Sequence, residues 1–186
     1  MTKPSPDHVL WLDLETTDTD PFVEHAAILE IGAVITTHTP SLDVLAEASL
    51  LVRPPGTQHD HDQLWARMLP VVREMHTSNG LWQDATTDTD AWSITEADDA
   101  LARWVTEETG STRSVPLAGS GTGHMDLPWV KRFMPRLTTR LTYWPLDIGV
   151  QRRMLELAGR PDHVDLATDV DAKPHRGLGD VRLHVA

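Results

Sequence analysis

The chain has 186 residues, 40% of them apolar, which suits one globular unit over residues 1–186 and argues against wholesale disorder. It contains no cysteine, which excludes disulfides, thiol nucleophiles and cysteine-held zinc, and it has no 18-residue apolar run, so no membrane span is expected. A formal net charge of −12 argues against a long electrostatic track on a duplex, but allows a local contact at a nucleic-acid end or one in which divalent cations supply positive charge.

Residues 1–6 lack the apolar stretch of a signal peptide, and with the missing cysteines this sets the expectation of a cytoplasmic protein. Residues 8–15, His-Val-Leu-Trp-Leu-Asp-Leu-Glu, read as a strand that ends in a loop of Thr and Asp. A second strand is expected over 27–37 and a third over 42–52, stopped by Pro54-Pro55-Gly56. This succession predicts an antiparallel three-strand meander. His59-Asp60-His61-Asp62 reads as solvated loop, because adjacent positions lack metal-ligand spacing. Residues 64–75 place Leu64, Met68, Val71, Val72 and Met75 at helical spacing, with Pro70 predicting a kink or two short helices. The capping-box spacing of Ser93 and Glu96 predicts a helix over 94–108. A strand at 115–119, a helix at 126–137, a strand at 141–146 and a helix at 148–158 follow. A polar loop at 161–174 and a short helix over 176–186 complete the series. Three strands followed by alternating strand and helix describe an α/β domain with a mixed sheet. The pentamer Thr-Thr-Asp-Thr-Asp occurs at 16–20 and 86–90 in unlike surroundings, so it is not read as a structural repeat.

Asp13 and Glu15 stand two apart on a strand, so both leave one face while Leu10, Leu12 and Leu14 leave the other. Two neighbouring carboxylates repel unless a cation sits between them, an arrangement suited to a hard ion such as Mg²⁺; the alternative is a strand end running into an acidic loop. Asp126 opens a helix after a glycine-rich loop, where it serves either as a helix cap or as a further carboxylate of a site. His175 and Asp180 would lie ~140° apart on one continuous helix. They face one cleft only if His175 sits on the loop before the helix, and Gly177 and Gly179 permit close backbone approach there. No Gly-x-Ser-x-Gly, P-loop or His-Glu-x-x-His pattern occurs. Lys131, Arg132, Arg136, Arg140, Arg152 and Arg153 gather between 131 and 153, either as a substrate-facing cluster or as ordinary solvated helix faces.

Taken in order, these pieces resemble the DEDDh exonucleases, the superfamily that includes oligoribonuclease and the proofreading subunit of bacterial DNA polymerase III. Trp11-Leu12-Asp13-Leu14-Glu15-Thr16-Thr17 is similar to the first motif and Ile28-Leu29-Glu30-Ile31-Gly32-Ala33-Val34 to the strand after it. Met75-His76-Thr77-Ser78-Asn79-Gly80-Leu81 resembles a stretch of oligoribonuclease, Asp126 with Phe133-Met134-Pro135 the second motif, and His175 through Asp180 the third. The resemblance implies an RNase H-like α/β fold, a mixed five-stranded sheet flanked by helices. It implies a metal-dependent 3′→5′ exonuclease that releases nucleoside 5′-monophosphates from short single-stranded RNA or DNA. A DNA-directed proofreading or repair exonuclease is the alternative within the class, and a non-catalytic nucleic-acid-binding module the alternative outside it. Two ions, Mg²⁺ or Mn²⁺, are implied ~4 Å apart. One would be held by Asp13, Glu15 and Asp180, the other mainly by Asp13 and Asp126, with His175 as general base. Backbone amides around Thr16 and Thr17 would hold the terminal nucleotide, His76 would lie near a base or sugar, and Tyr143 matches a base-stacking position. The partners implied are single-stranded 3′ ends and a second copy of the chain as a homodimer. Dinucleotide-preferring members grip a 5′ phosphate with an arginine and a serine; the resemblance aligns Trp144 and Gly149 with them, which argues against that preference.

Overall fold

The computed structural model describes residues 7–110, 113–160 and 175–185. β1 (His8–Thr16), β2 (Ile28–Thr37) and β3 (Val44–Leu51) form the expected antiparallel meander. β4 (Leu117–Gly119) and β5 (Leu146–Asp147) add in parallel on the other side of β1, giving a mixed sheet of order β3-β2-β1-β4-β5. β1 is therefore central, covered on both faces, and this explains its nearly unbroken apolar run from Val9 to Leu12.

The two faces of β1 meet different partners. Leu10, Leu12 and Leu14 pack with Ala97, Leu101 and Val105 of α4 (Ile94–Thr109) and with Leu127, Trp129 and Val130 of α5 (Asp126–Phe133). Val9 and Trp11 pack with Val34, Ala118 and Val181, the last from α8 (Gly177–Val185). Along that second face the β1–β2 pairs run Val9↔Thr36, Trp11↔Val34, Asp13↔Gly32 and Glu15↔Glu30. The surface beneath α8 is thus apolar at one end and acidic at the other. A third apolar cluster joins Ala27 and Leu29 to α1 (Gln58–Arg67), α2 (Pro70–Ser78) and α3 (Leu81–Thr87).

Several boundaries differ from the sequence reading for identifiable reasons. The helix expected over 64–75 is two helices with Pro70 at the first turn of the second, but α1 begins at Gln58. His59-Asp60-His61-Asp62 is helical, not loop: Thr57 and Asp60 form a capping box, and His61 is buried with Nε2 2.9 Å from the Pro54 carbonyl. α3 lay in unassigned sequence; it starts at a left-handed Gly80 (φ 75°) and is too short to show clear periodicity. Pro135 ends the helix expected over 126–137 at Phe133 and opens α6 (Pro135–Thr138). The strand expected over 141–146 contracts to β5, and Leu141 makes only an isolated bridge to Val115. α7 (Ile148–Leu157) follows β5, with Asp147 as its N-cap. The loop expected over 161–174 lies outside the described residues.

Candidate metal and catalytic centre

The acidic end of β1 gathers side chains from three elements. Glu15 is 5% exposed although it carries a carboxylate, and Asp13, one pleat earlier, is half-buried on the same face. Asp180, buried on α8, and Asp126, buried at the first residue of α5, come from opposite sides of the sheet. Ligating atoms of Glu15, His175 and Asp180 lie within 4.8 Å of one another. Asp13 links this group to Asp126, because its charge acts on both Glu15 and Asp126.

The electrostatics record the crowding. Burial, then repulsion from Asp13, Asp180 and Glu30, pushes Glu15 up to about 8, against the pull of Arg176. Burial and then Asp13 push Asp126 up to about 8, although its carboxyl accepts hydrogen bonds from the backbone of Leu14 and of its own residue. Met125, not Asp126, occupies the N-cap position of α5. The capping role considered from sequence is therefore not what Asp126 does; it ties the helix start to the end of β1.

Glycine makes the approach of α8 possible. A Cβ on Gly32 would collide with the backbone of Gly177 and Leu178, and one on Gly177 would meet Gly32 and the Asp13 carbonyl. At the neighbouring pair, Glu30 receives both Nε and Nη2 of Arg176, the latter at 3.0 Å, and the Gly177 amide at 2.8 Å. Arg176 also reaches Asp84 of α3 at 3.0 Å. The cross-strand pair Glu15↔Glu30 would be repulsive by itself, and Arg176 neutralises the Glu30 side of it. His175 precedes this anchor, exposed, with a left-handed backbone (φ 47°). It sits outside the helix as the site requires.

The other residues singled out from sequence are placed differently. Thr17 is committed to the fold: its amide donates to the Ala27 carbonyl at 3.0 Å and its hydroxyl accepts from the Ala27 amide at 2.9 Å. Its amide is thus engaged within the fold. Thr16 ends β1 at a register shift, its hydroxyl donating to the Asp18 carbonyl at 2.7 Å. His76 is fully buried, with Nε2 2.8 Å from the Thr16 carbonyl, so any influence on a base or sugar passes through the β1 end. Burial lowers its pKa despite that hydrogen bond. Tyr143 is 78% exposed, packed edge-on against the exposed Trp144, and belongs to no acidic group. A cleft of 380 Å³ opens beside Thr17, lined by Asp18, Val23, His25, Leu64 and Arg67 among others.

Sequence reasoning assigned no role to Glu30, Asn79 or Arg176. The available signal was a charged residue within an otherwise apolar strand, Ile28-Leu29-Glu30-Ile31. Asp147 was also missed. Although burial opposes its charge, backbone amides of Val150, Gly121, Gly123 and Gly149 hold its carboxyl below the usual range, fastening the loop before Asp126 to β5.

The donor set is made of carboxylate oxygens with one imidazole and no thiolate, which suits hard divalent ions such as Mg²⁺ or Mn²⁺. Two carboxyls raised first by burial and then by the neighbouring Asp13 are what such ions would relieve, so the residues fit a metal centre.

Comparison with known proteins agrees with this geometry. No family model matches the chain. The chain is 31% identical over 176 residues to an oligoribonuclease of Corynebacterium efficiens, covering 94% of this chain and 73% of the relative. It is 30% identical over 179 residues to an oligoribonuclease of Coxiella burnetii, covering 96% and 88%. In fold it is similar to the nuclease domain of 3′hExo, a DEDDh family member bound to rAMP (TM-score 0.57, 20% identity, 96% of this chain and 90% of that one). It is also similar to E. coli exonuclease I in complex with a dT13 oligonucleotide (TM-score 0.64, 15% identity, 96% and 39%).

Proposed function

Because the chain belongs to the oligoribonuclease family, we propose that its acidic centre hydrolyses short single-stranded RNA or DNA from the 3′ end, with Asp13, Glu15, Asp126 and Asp180 holding two Mg²⁺ or Mn²⁺ ions. The observation that carries this reading is the burial of Glu15 and Asp126 against other carboxylates, a repulsive arrangement without a cation. When bound, such ions neutralise a scissile phosphate, lower the pKa of an attacking water and stabilise the leaving oxygen.

The chain's own groups do the rest. Glu15 and Asp180 lie beside His175, which places its imidazole at the centre to take a proton from the attacking water. The exposed position of His175 lets that proton pass on to solvent between turnovers. Asp126, fastened to Leu14, sets the far side of the centre relative to Asp13. The terminal nucleotide is assigned to the cleft beside Thr17, whose lining includes the cation of Arg67. Thr16 ends β1 next to that cleft, His76 holds the Thr16 carbonyl, and the exposed Tyr143 offers a ring for an upstream base.

Trp144 and Gly149 stand where dinucleotide-preferring members carry their phosphate-gripping arginine and serine, so the proposed substrates are short strands in general. Val150, Met154 and Leu157 form an exposed apolar stripe on α7, and this is the surface proposed for a homodimer. Among the described residues no helix is long and apolar enough to cross a membrane. The proposed working place is the cytoplasm.

Digestion of 5′-labelled RNA and DNA ladders with Mg²⁺, Mn²⁺ or EDTA tests the reading. Stepwise shortening from the 3′ end, abolished by EDTA, is expected. Intact ladders at every metal concentration, or cleavage unaffected by EDTA, would overturn it.

A further inference from the structure

One helical turn grips both halves of the centre. His76, near the end of α2, has Nε2 2.8 Å from the Thr16 carbonyl, the residue after Glu15. Three residues on, the C-cap Asn79 has its side-chain amide Nδ2 donating to the His175 carbonyl at 2.6 Å. The same side chain's Oδ1 accepts the Leu81 amide at 3.0 Å, capping the start of α3. Asn79 is therefore engaged at both ends, its amide nitrogen donating to His175 and its amide oxygen accepting from Leu81. The Asn79 carbonyl also lies 3.5 Å from Nη1 of Arg176, the residue after His175.

His175 needs such a hold. Its left-handed backbone is uncommon for a residue with a Cβ and persists where surrounding contacts enforce it. On its C-terminal side Arg176 and Gly177 are anchored to Glu30. Asn79 grips the carbonyl of His175 itself, so its amide sets the peptide plane from which the imidazole departs.

We propose that Asn79 is a positioning residue for His175, holding its backbone so that the imidazole faces the Glu15 and Asp180 carboxylates. This rests on the reading of His175 as the general base. Asn79 touches neither substrate nor metal in that account and acts only through His175 and the α2–α3 turn.

Replacements separate positioning from capping. Asn79→Asp keeps the acceptor for Leu81 but sets a second acceptor against the His175 carbonyl; Asn79→Ala removes both bonds without adding repulsion. Positioning therefore predicts that Asn79→Asp lowers kcat by about 10- to 10²-fold, more than Asn79→Ala, with KM little changed. A capping role alone predicts the reverse order, with Asn79→Ala the more harmful. Melting temperatures identify a variant that is merely unfolded, and Asn79→Ala then serves in place of Asn79→Asp for the cycle with His175→Ala. In the His175→Ala background the Asn79 change should cost less than about twofold, because the group it positions is gone. A full additive loss in that background, or the capping order of effects, overturns the role of Asn79 while leaving the proposed activity intact. Undiminished activity of His175→Ala alone sinks the general-base reading and the Asn79 proposal together.

Discussion

At the scale of single residues, the centre is a place where burial and like charge work against ionisation. Glu15 and Asp126 are each held up to about 8, first by burial and then by Asp13. In the unfolded chain both ionise in the ordinary carboxylate range, near 4. Between those limits the folded, metal-free protein keeps protons that the unfolded chain releases. Their contribution is therefore least harmful below about pH 4 and increasingly destabilising as pH rises towards about 8. Thermal melts in EDTA should show the melting temperature falling from about pH 5 to about pH 8, and Asp126→Asn should flatten that slope. An equally steep fall in the variant would remove Asp126 from the cause. Asp13→Ala should abolish exonuclease activity while leaving the circular-dichroism spectrum folded, since it relieves repulsion on two buried neighbours. His175→Ala should lower kcat by about 10²–10⁴-fold, as expected for loss of a general base. A loss under threefold would assign the proton transfer to another group.

At the scale of elements, the decisive contact is the crossing of α8 over β1 and β2. It needs no side chain at Gly32 and none at Gly177, and it is pinned by Arg176 on Glu30. Gly32→Ala should force α8 outward, costing about 1–3 kcal/mol of stability by overpacking and separating His175 and Asp180 from Glu15. Denaturant melts and kcat measured together check this; a variant with normal stability and normal turnover would show that the crossing tolerates a Cβ. This crossing also marks where sequence reasoning stopped. The period-two alternation of β1 exposed the shared face of Asp13 and Glu15, and the capping box of Ser93 and Glu96 located α4, because both signals are local. The loop placement of His175 beside Asp180 could be posed from the glycines alone. The Glu30–Arg176 pair joins residues 146 positions apart, and nothing local in either segment names its partner. His61 was misread because a capping box within a polar run resembles loop until the helix it opens is seen. The bond from the Thr17 amide to Ala27 was likewise illegible, because only the folded β1–β2 turn brings the two together.

At the scale of the whole molecule, a net charge of −12 predicts that nucleic-acid contact is limited to a few phosphates. The slope of log(kcat/KM) against log salt should be shallower than about −1.5, corresponding to about two phosphates of a single strand. A much steeper slope on longer strands would point to an extended basic track. The exposed stripe of Val150, Met154 and Leu157 should bury itself in a dimer, so light scattering should report twice the chain mass and Leu157→Glu should shift it towards the monomer. A monomer at all concentrations would leave that stripe without the proposed occupant. Divalent cations that relieve the carboxylate repulsion stored in the fold should stabilise the whole chain on binding. The most direct test is thermal melting at about pH 8 across a Mn²⁺ titration, for the wild-type chain and for Asp13→Ala. A saturable rise in melting temperature that Asp13→Ala largely loses is the predicted result. The same melting temperature in Mn²⁺ and in EDTA for the wild-type chain would contradict it.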